Sequence, residues 1–96
     1  MTLVILPSAR EDVAAGCDFY EQREEGAGIY FLESLFSDIE SLKLYAGVHR
    51  KIFGYHRLLS KRFPFAIYYS VEMEEVRVRA VLDCRRDPGW IRRQLK

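Results

Sequence analysis

Residues 53–90 read FGYHRLLSKRFPFAIYYSVEMEEVRVRAVLDCRRDPGW, and the period of two inside this stretch decides the fold class. From Glu75 to Cys84, the residues Val76, Val78, Ala80, Leu82 and Cys84 share one parity and Arg77, Arg79 and Asp83 the other. Val81 alone breaks the alternation. Successive side chains of an extended chain point to opposite sides, so this pattern belongs to a strand with one buried and one solvated face. Phe63, Phe65, Ile67, Tyr69 and Val71 repeat it one strand earlier, and Glu72–Glu75 reads as the hairpin connection between them. The expected sheet is an antiparallel meander, apolar on one face and studded with arginine on the other.

Working outward, Thr2 to Leu6 is a short apolar run closed by Pro7, the pattern of a strand buried on both faces. Ser8-Ala9-Arg10-Glu11 fits a capping box, in which each polar side chain satisfies a free amide at a helix start. Val13, Cys17 and Tyr20 follow at helical spacing, and Gly26-Ala27-Gly28 interrupts the helix. From Ile29 to Ala46, the residues Ile29, Leu32, Leu35, Phe36, Ile39 and Leu42 recur every three or four positions, and Gly47 supplies a left-handed stop. Two helices with a short break pack as an antiparallel hairpin. The fold expected is α+β: a two-layer β-α-α-β-β-β domain over residues 1–96, its helix hairpin packed on a mainly antiparallel four-stranded sheet. Phe65, Ile67, Val76, Val78, Ala80 and Leu82 form the face beneath the helices. Phe36 belongs to this core, so its replacement by alanine is expected to cost about 3–5 kcal/mol.

Ninety-six residues with 49% hydrophobic content support one modest core and no second domain. No apolar run approaches the ~18 residues of a membrane span. Met1 to Pro7 lacks the basic start and small-residue cleavage site of a signal peptide. Cys17 and Cys84 match no metal spacing and read as buried thiols in a reducing cytoplasm. The net charge of +1 conceals a division: residues 1–48 carry three basic against nine acidic side chains, and residues 49–96 carry twelve against five. A balance of −6 followed by +7 implies one acidic and one basic face, the latter suited to nucleic acid or an acidic partner.

Arg57, Arg62, Arg85 and Arg86 are the candidate functional residues, with Arg77 and Arg79 on an ordinary solvent face. A guanidinium stays charged and forks onto phosphate or carboxylate through paired hydrogen bonds. Tyr55, Tyr68 and Trp90 offer rings for stacking, whereas Tyr69 shares the core parity. His49 and His56 are the histidines; a neutral imidazole can serve as a general base, but a structural or surface role is the favoured reading of both. There is no Gly-rich phosphate loop, HExxH motif or Ser/His/Asp arrangement, so neither a cofactor nor a metal is expected.

The runs Gly54-Tyr55-His56-Arg57, Lys61-Arg62-Phe63-Pro64-Phe65-Ala66-Ile67-Tyr68-Tyr69 and Val78 to Arg86, followed by Asp87-Pro88, resemble the C-terminal half of the RelE/ParE toxin superfamily. The branch they resemble most is the ParE-like, plasmid-stabilisation one. The resemblance implies the toxin of a type II toxin–antitoxin pair, cytoplasmic, neutralised by a cognate antitoxin with which it forms a hetero-oligomer. By the same resemblance, Arg86 matches the arginine with which ribonuclease members hold the scissile phosphate. Ala66 stands where they carry a second arginine. Beyond Arg86, in place of their aromatic acid or base, this chain has Trp90, Arg92 and Arg93. Indole has no titratable group, which favours a ParE-like binder of DNA gyrase that uses Arg57, Arg62, Arg85, Arg86 and Trp90. The alternatives are a ribosome-dependent messenger RNA endonuclease using Arg57 or Arg62, Arg86 and His56, and an inactive member that binds antitoxin or nucleic acid.

If the basic half contacts a phosphate backbone, affinity falls steeply with added salt, because each neutralised phosphate releases counterions. Titrations at low and high salt test this, and a flat response removes backbone contact from consideration.

Overall fold

In the computed structural model, which describes residues 1–96, the alternating stretch forms the centre of a five-stranded sheet ordered β1-β5-β4-β3-β2. Along the chain come β1 (Thr2–Ile5), α1 (Pro7–Glu21), α2 (Ala27–Glu40) and the single turn α3 (Leu42–Tyr45). Then follow β2 (Lys51–Ile52), β3 (Tyr55–Leu59), β4 (Phe65–Glu72), β5 (Glu75–Asp83) and α4 (Pro88–Gln94). The α+β class, the helix hairpin and the β3-β4-β5 meander match expectation. The two-residue β2 and the terminal helix α4 are additional.

The strand pattern is right except at one residue. Tyr68 pairs with Ala80 but Tyr69 pairs with Val78, so Arg79 is an extra residue in β5 and forms a bulge. A single inserted residue reverses the parity of everything after it. Val76, Val78 and Val81 therefore enter the helix-side core with Phe65, Ile67 and Tyr69. Ala80 and Leu82 face the opposite side, with Ala66 and Tyr68. This corrects the single apolar face expected from the sequence and explains why Val81 breaks its alternation. The second face is covered by α4, whose Ile91 and Leu95 complete a smaller apolar cluster.

β1 runs parallel to β5 at the sheet edge, with Leu3 to Ile5 half-buried, rather than as a strand covered on both faces. Its pairing stops at Val78, which leaves the rest of that edge of β5 open. Side chains of α1 fill the gap. Ser8 Oγ donates to the Arg79 carbonyl at 2.7 Å, and Asp12 Oδ2 accepts from the Val81 amide at 3.0 Å. Ser8 is thus a fastener between helix and sheet instead of the capping-box residue: Pro7 is the first residue of α1, and the preceding Leu6 makes no side-chain cap.

The helix hairpin closes through glycine. A methyl group on Gly16 would lie 2.5 Å from Cζ of the buried Phe31, and one on Gly28 2.9 Å from the Cys17 carbonyl oxygen. Phe31 stands against Tyr20, Phe63 and Phe65 at ring separations of 5.0–5.2 Å. Leu35, Ile39 and Leu42 fill the core as their spacing predicts, but Ile29 and Phe36 are 59% and 40% exposed. The buried stripe of α2 is shifted toward Phe31 and Leu35, so Phe36 is no core residue. The α2 segment also ends earlier than expected, at Glu40. Buried Asp38 of α2 accepts from Ser60 Oγ at 2.7 Å and ties the β3–β4 loop to the helix. Neither thiol is fully buried: Cys17 is half-buried and Cys84 exposed.

Leu35→Ala is expected to cost about 2–5 kcal/mol in chemical denaturation, and Phe36→Ala markedly less. Gly16→Ala is the more discriminating variant. Helix propensity alone would favour alanine by about 1 kcal/mol, but overpacking against an aromatic ring typically costs about 1–3 kcal/mol. The net effect is a lower denaturation midpoint, whereas a raised midpoint would contradict the Phe31 contact.

Candidate functional site

The strand pairing separates residues that the sequence sets side by side. His56 is opposite Tyr69 and Arg57 opposite Tyr68. His56 therefore faces the helix side of the sheet and Arg57 the α4 side. The His56 ring stacks on Tyr69 at 5.1 Å between centroids, and its Nδ1 bonds to the His49 carbonyl. The Arg57 guanidinium is close to the Tyr68 hydroxyl, whose pKa burial pushes up and Arg57 partly offsets. A general base must reach its proton at hydrogen-bond distance or through one water. With the sheet between them, His56 and Arg57 cannot serve one reaction centre.

Arg86 is held at the root of α4. Asp87 caps that helix by accepting the Trp90 amide at 3.1 Å, and Pro88 occupies its first turn. An aspartate followed by proline is a helix-start signal, and it could have disclosed α4 from the sequence. The cap carries the Trp90 indole under Arg86, whose guanidinium carbon lies 3.8 Å from the ring centroid. Such stacking orders a guanidinium while leaving its edge donors free for an incoming anion. The pair borders a cleft of about 370 Å³ between α1, β5 and α4, lined also by Asp12, Phe19, Phe65 and Asp83. Burial raises the Asp12 carboxyl above the ordinary range, opposed by the Val81 amide and by Arg79.

Arg85 behaves differently from its neighbour. Its Nε and Nη2 donate to the two oxygens of Asp83 at 3.0 and 2.7 Å, and its amide donates to Oδ1 at 2.8 Å. These bonds hold the Asp83 carboxyl below its usual range. The Arg85 charge is therefore compensated within the chain. Arg77 lies near Glu72 and Glu75, at 3.5 and 3.4 Å. Arg79 donates to Ser8 Oγ at 2.8 Å and to the Lys96 carbonyl at 3.0 Å, a structural role beyond the solvent face expected of it. Arg57, Arg62, Arg86, Arg92 and Arg93 form no ion pair. Arg62 is exposed in the β3–β4 loop. Arg92 and Lys96, which sequence reading did not select, border a second cleft of about 540 Å³ with Phe53 and Leu95.

The structure thus joins Arg86 to Trp90 and leaves Arg57 on the same side of the sheet. It commits Arg85 to Asp83 and removes His56 to the other face. No three His, Cys, Asp or Glu residues are grouped to hold a metal ion. No helix is long and apolar enough to cross a membrane.

No protein-family model and no curated protein matches the chain. Among solved structures, it is similar to a chain described as "Chromosomal ParDE TA system from P. aeruginosa". The TM-score is 0.73 at 20% sequence identity, over 84% of this chain and 92% of that one. At that identity the likeness is one of fold, and it agrees with the RelE/ParE-like fold expected from residues 54–88.

Because Arg86 is exposed and rests on the chain's one tryptophan, its loss is expected to spare folding. Arg86→Ala should cost no more than about 1 kcal/mol, the scale of an exposed cation–π contact, and should shift Trp90 fluorescence. A melting temperature lowered as far as by a core truncation would mean that Arg86 is structural.

Proposed function

We propose that this protein is the ParE-like toxin of a type II toxin–antitoxin pair, acting in the cytoplasm by binding DNA gyrase and silenced by a cognate antitoxin. What supports the toxin reading is the fold shared with a chain of a ParDE system, together with the residues of 54–88 that resemble the superfamily. What favours binding over bond cleavage is one observation: His56, the proton-transfer group that the nuclease alternative requires, stacks on Tyr69 on the helix side of the sheet. Arg86 stands on Trp90 at the root of α4. With Ala66 in place of a second arginine and an indole beyond the strand, Arg86 is left to recognise an anionic group on its target. In this reading Arg86 and Trp90 form the central contact. Arg57 and Arg62 add peripheral charge, and Arg85 shapes the strand end through Asp83.

Induced expression in a bacterium, with plasmid supercoiling, DNA breaks and messenger RNA integrity followed together, tests the reading. Growth arrest with altered supercoiling or broken DNA and intact RNA is expected. Arg86→Ala weakens toxicity and His56→Ala leaves it largely intact, both variants being checked for folding by their melting curves. General acid–base assistance is typically worth about a hundredfold or more. Detoxification by His56→Ala in a folded protein, with RNA cleavage in the wild type, would therefore overturn gyrase binding in favour of the endonuclease.

A further inference from the structure

Where residues 46–50 cross from α3 to β2, two hydrogen-bonding groups converge on the hydroxyl of buried Tyr69, and a third holds the backbone of His49. The Gly47 amide donates to the Tyr69 hydroxyl oxygen at 3.0 Å, His49 Nδ1 lies 2.5 Å from the same oxygen, and His56 Nδ1 lies 2.5 Å from the His49 carbonyl. Counting protons fixes the roles. A carbonyl only accepts, so His56 Nδ1 carries a hydrogen, and its Nε2 is free to take a second proton without breaking that bond. Tyr69 is 0% exposed, and its hydroxyl hydrogen needs an acceptor. The Gly47 amide offers none, whereas an unprotonated His49 Nδ1 does. The satisfied arrangement is therefore Tyr69 O–H donating to His49 Nδ1, with the neutral His49 proton on Nε2. Protonating Nδ1 turns an acceptor into a donor. The Tyr69 oxygen would then face two donors, and its own hydrogen would lose its partner.

We propose that Tyr69, His49 and His56 form a proton-operated latch, which holds residues 46–50 on the sheet while His49 is neutral and releases them when His49 takes up a proton. His56 is a spectator in the bonding but not in the charge. The groups facing the His49 ring are the Tyr69 hydroxyl from β4 and the His56 ring from β3, and a charged His56 opposes a second charge on His49. Burial and this neighbour both hold His49 below the usual histidine range. A base with a depressed folded pKa contributes its full stability above its unfolded value of about 6.5 and loses it as pH falls from there. The segment it secures carries exposed Val48 and leads to Arg50, whose carbonyl accepts the Arg57 amide at 3.0 Å. Release therefore reaches the strand that carries Arg57.

Nitrogen-detected NMR of the full chain tests both halves of the proposal. At about pH 7.5, His49 should be protonated on Nε2 and His56 on Nδ1. On lowering the pH to about 5, the exchange protection of the Gly47 amide, corrected for its intrinsic rate, should fall about tenfold or more relative to Ile67 and Val81. His49→Gln keeps an acceptor for the tyrosine and cannot titrate, so its Gly47 protection should be independent of pH. A His49 proton on Nδ1 at neutral pH would overturn the latch. So would Gly47 protection unchanged by acid, a loss shared equally by the β4 and β5 amides, or the same acid response in His49→Gln.

Discussion

The extra residue at Arg79 divides β5 into two halves that face different cores, and the remaining packing follows from that division. Before it, Val76 and Val78 point toward the helices; after it, Val81 does, while Ala80 and Leu82 turn to the other side. The same insertion coincides with the end of β1 pairing, so the strand leaves the bulge with an open edge. An unpaired strand edge is a liability for aggregation and for buried polar groups. Here Ser8 and Asp12 of α1 take up the exposed carbonyl and amide, and Arg79 returns a guanidinium bond to Ser8. One local irregularity therefore fixes the helix hairpin and permits α4 on the opposite face.

That second face is what exposes the basic residues of the C-terminal region. Ile91 and Leu95 bury the α4 stripe against Ala66, Tyr68, Ala80 and Leu82, which leaves the basic residues of the helix outside. The short side chains of Ala66 and Ala80 suit this contact, because a helix resting on a sheet needs low positions beneath it. Ala66 is the position at which the resemblance places an arginine in ribonuclease members. In this chain it is packing.

Adjacent arginines of like chemistry have unlike environments. Arg85 meets Asp83 in a paired geometry that satisfies both charges, whereas Arg86 is carried one residue further, onto Trp90. A compensated guanidinium is a poor anion receptor, and a stacked one with free edges is a good one. The strand alternation that puts Arg57 on the α4 side puts His56 against Tyr69 by the same rule. A histidine that sequence proximity makes available for catalysis becomes part of the support for the α3–β2 connection.

The periodicity of residues 63–84 and the helical spacing of Leu35, Ile39 and Leu42 determined the α+β class, the meander and the helix hairpin, because a chain segment can bury a stripe only at its own repeat. The motif residues of 54–88 likewise carried the fold likeness, and Asp87-Pro88 held an unread signal for α4. Val81 marked the bulge without locating it: a break in alternation is visible in one strand, but its register is defined only against a partner. The burial of Phe31 depended on the close approach of α1 and α2 at Gly16, and the exposure of Phe36 and the edge position of β1 on packing and pairing between elements, which the spacing within one segment does not contain. The site followed the same division. The arginines and the tryptophan were legible as residue types, while which arginine is compensated, which is stacked and which histidine is turned away depended on neighbours distant in sequence. Charge and hydrogen-bond complementarity are properties of pairs, and only the tertiary structure chooses the pairs.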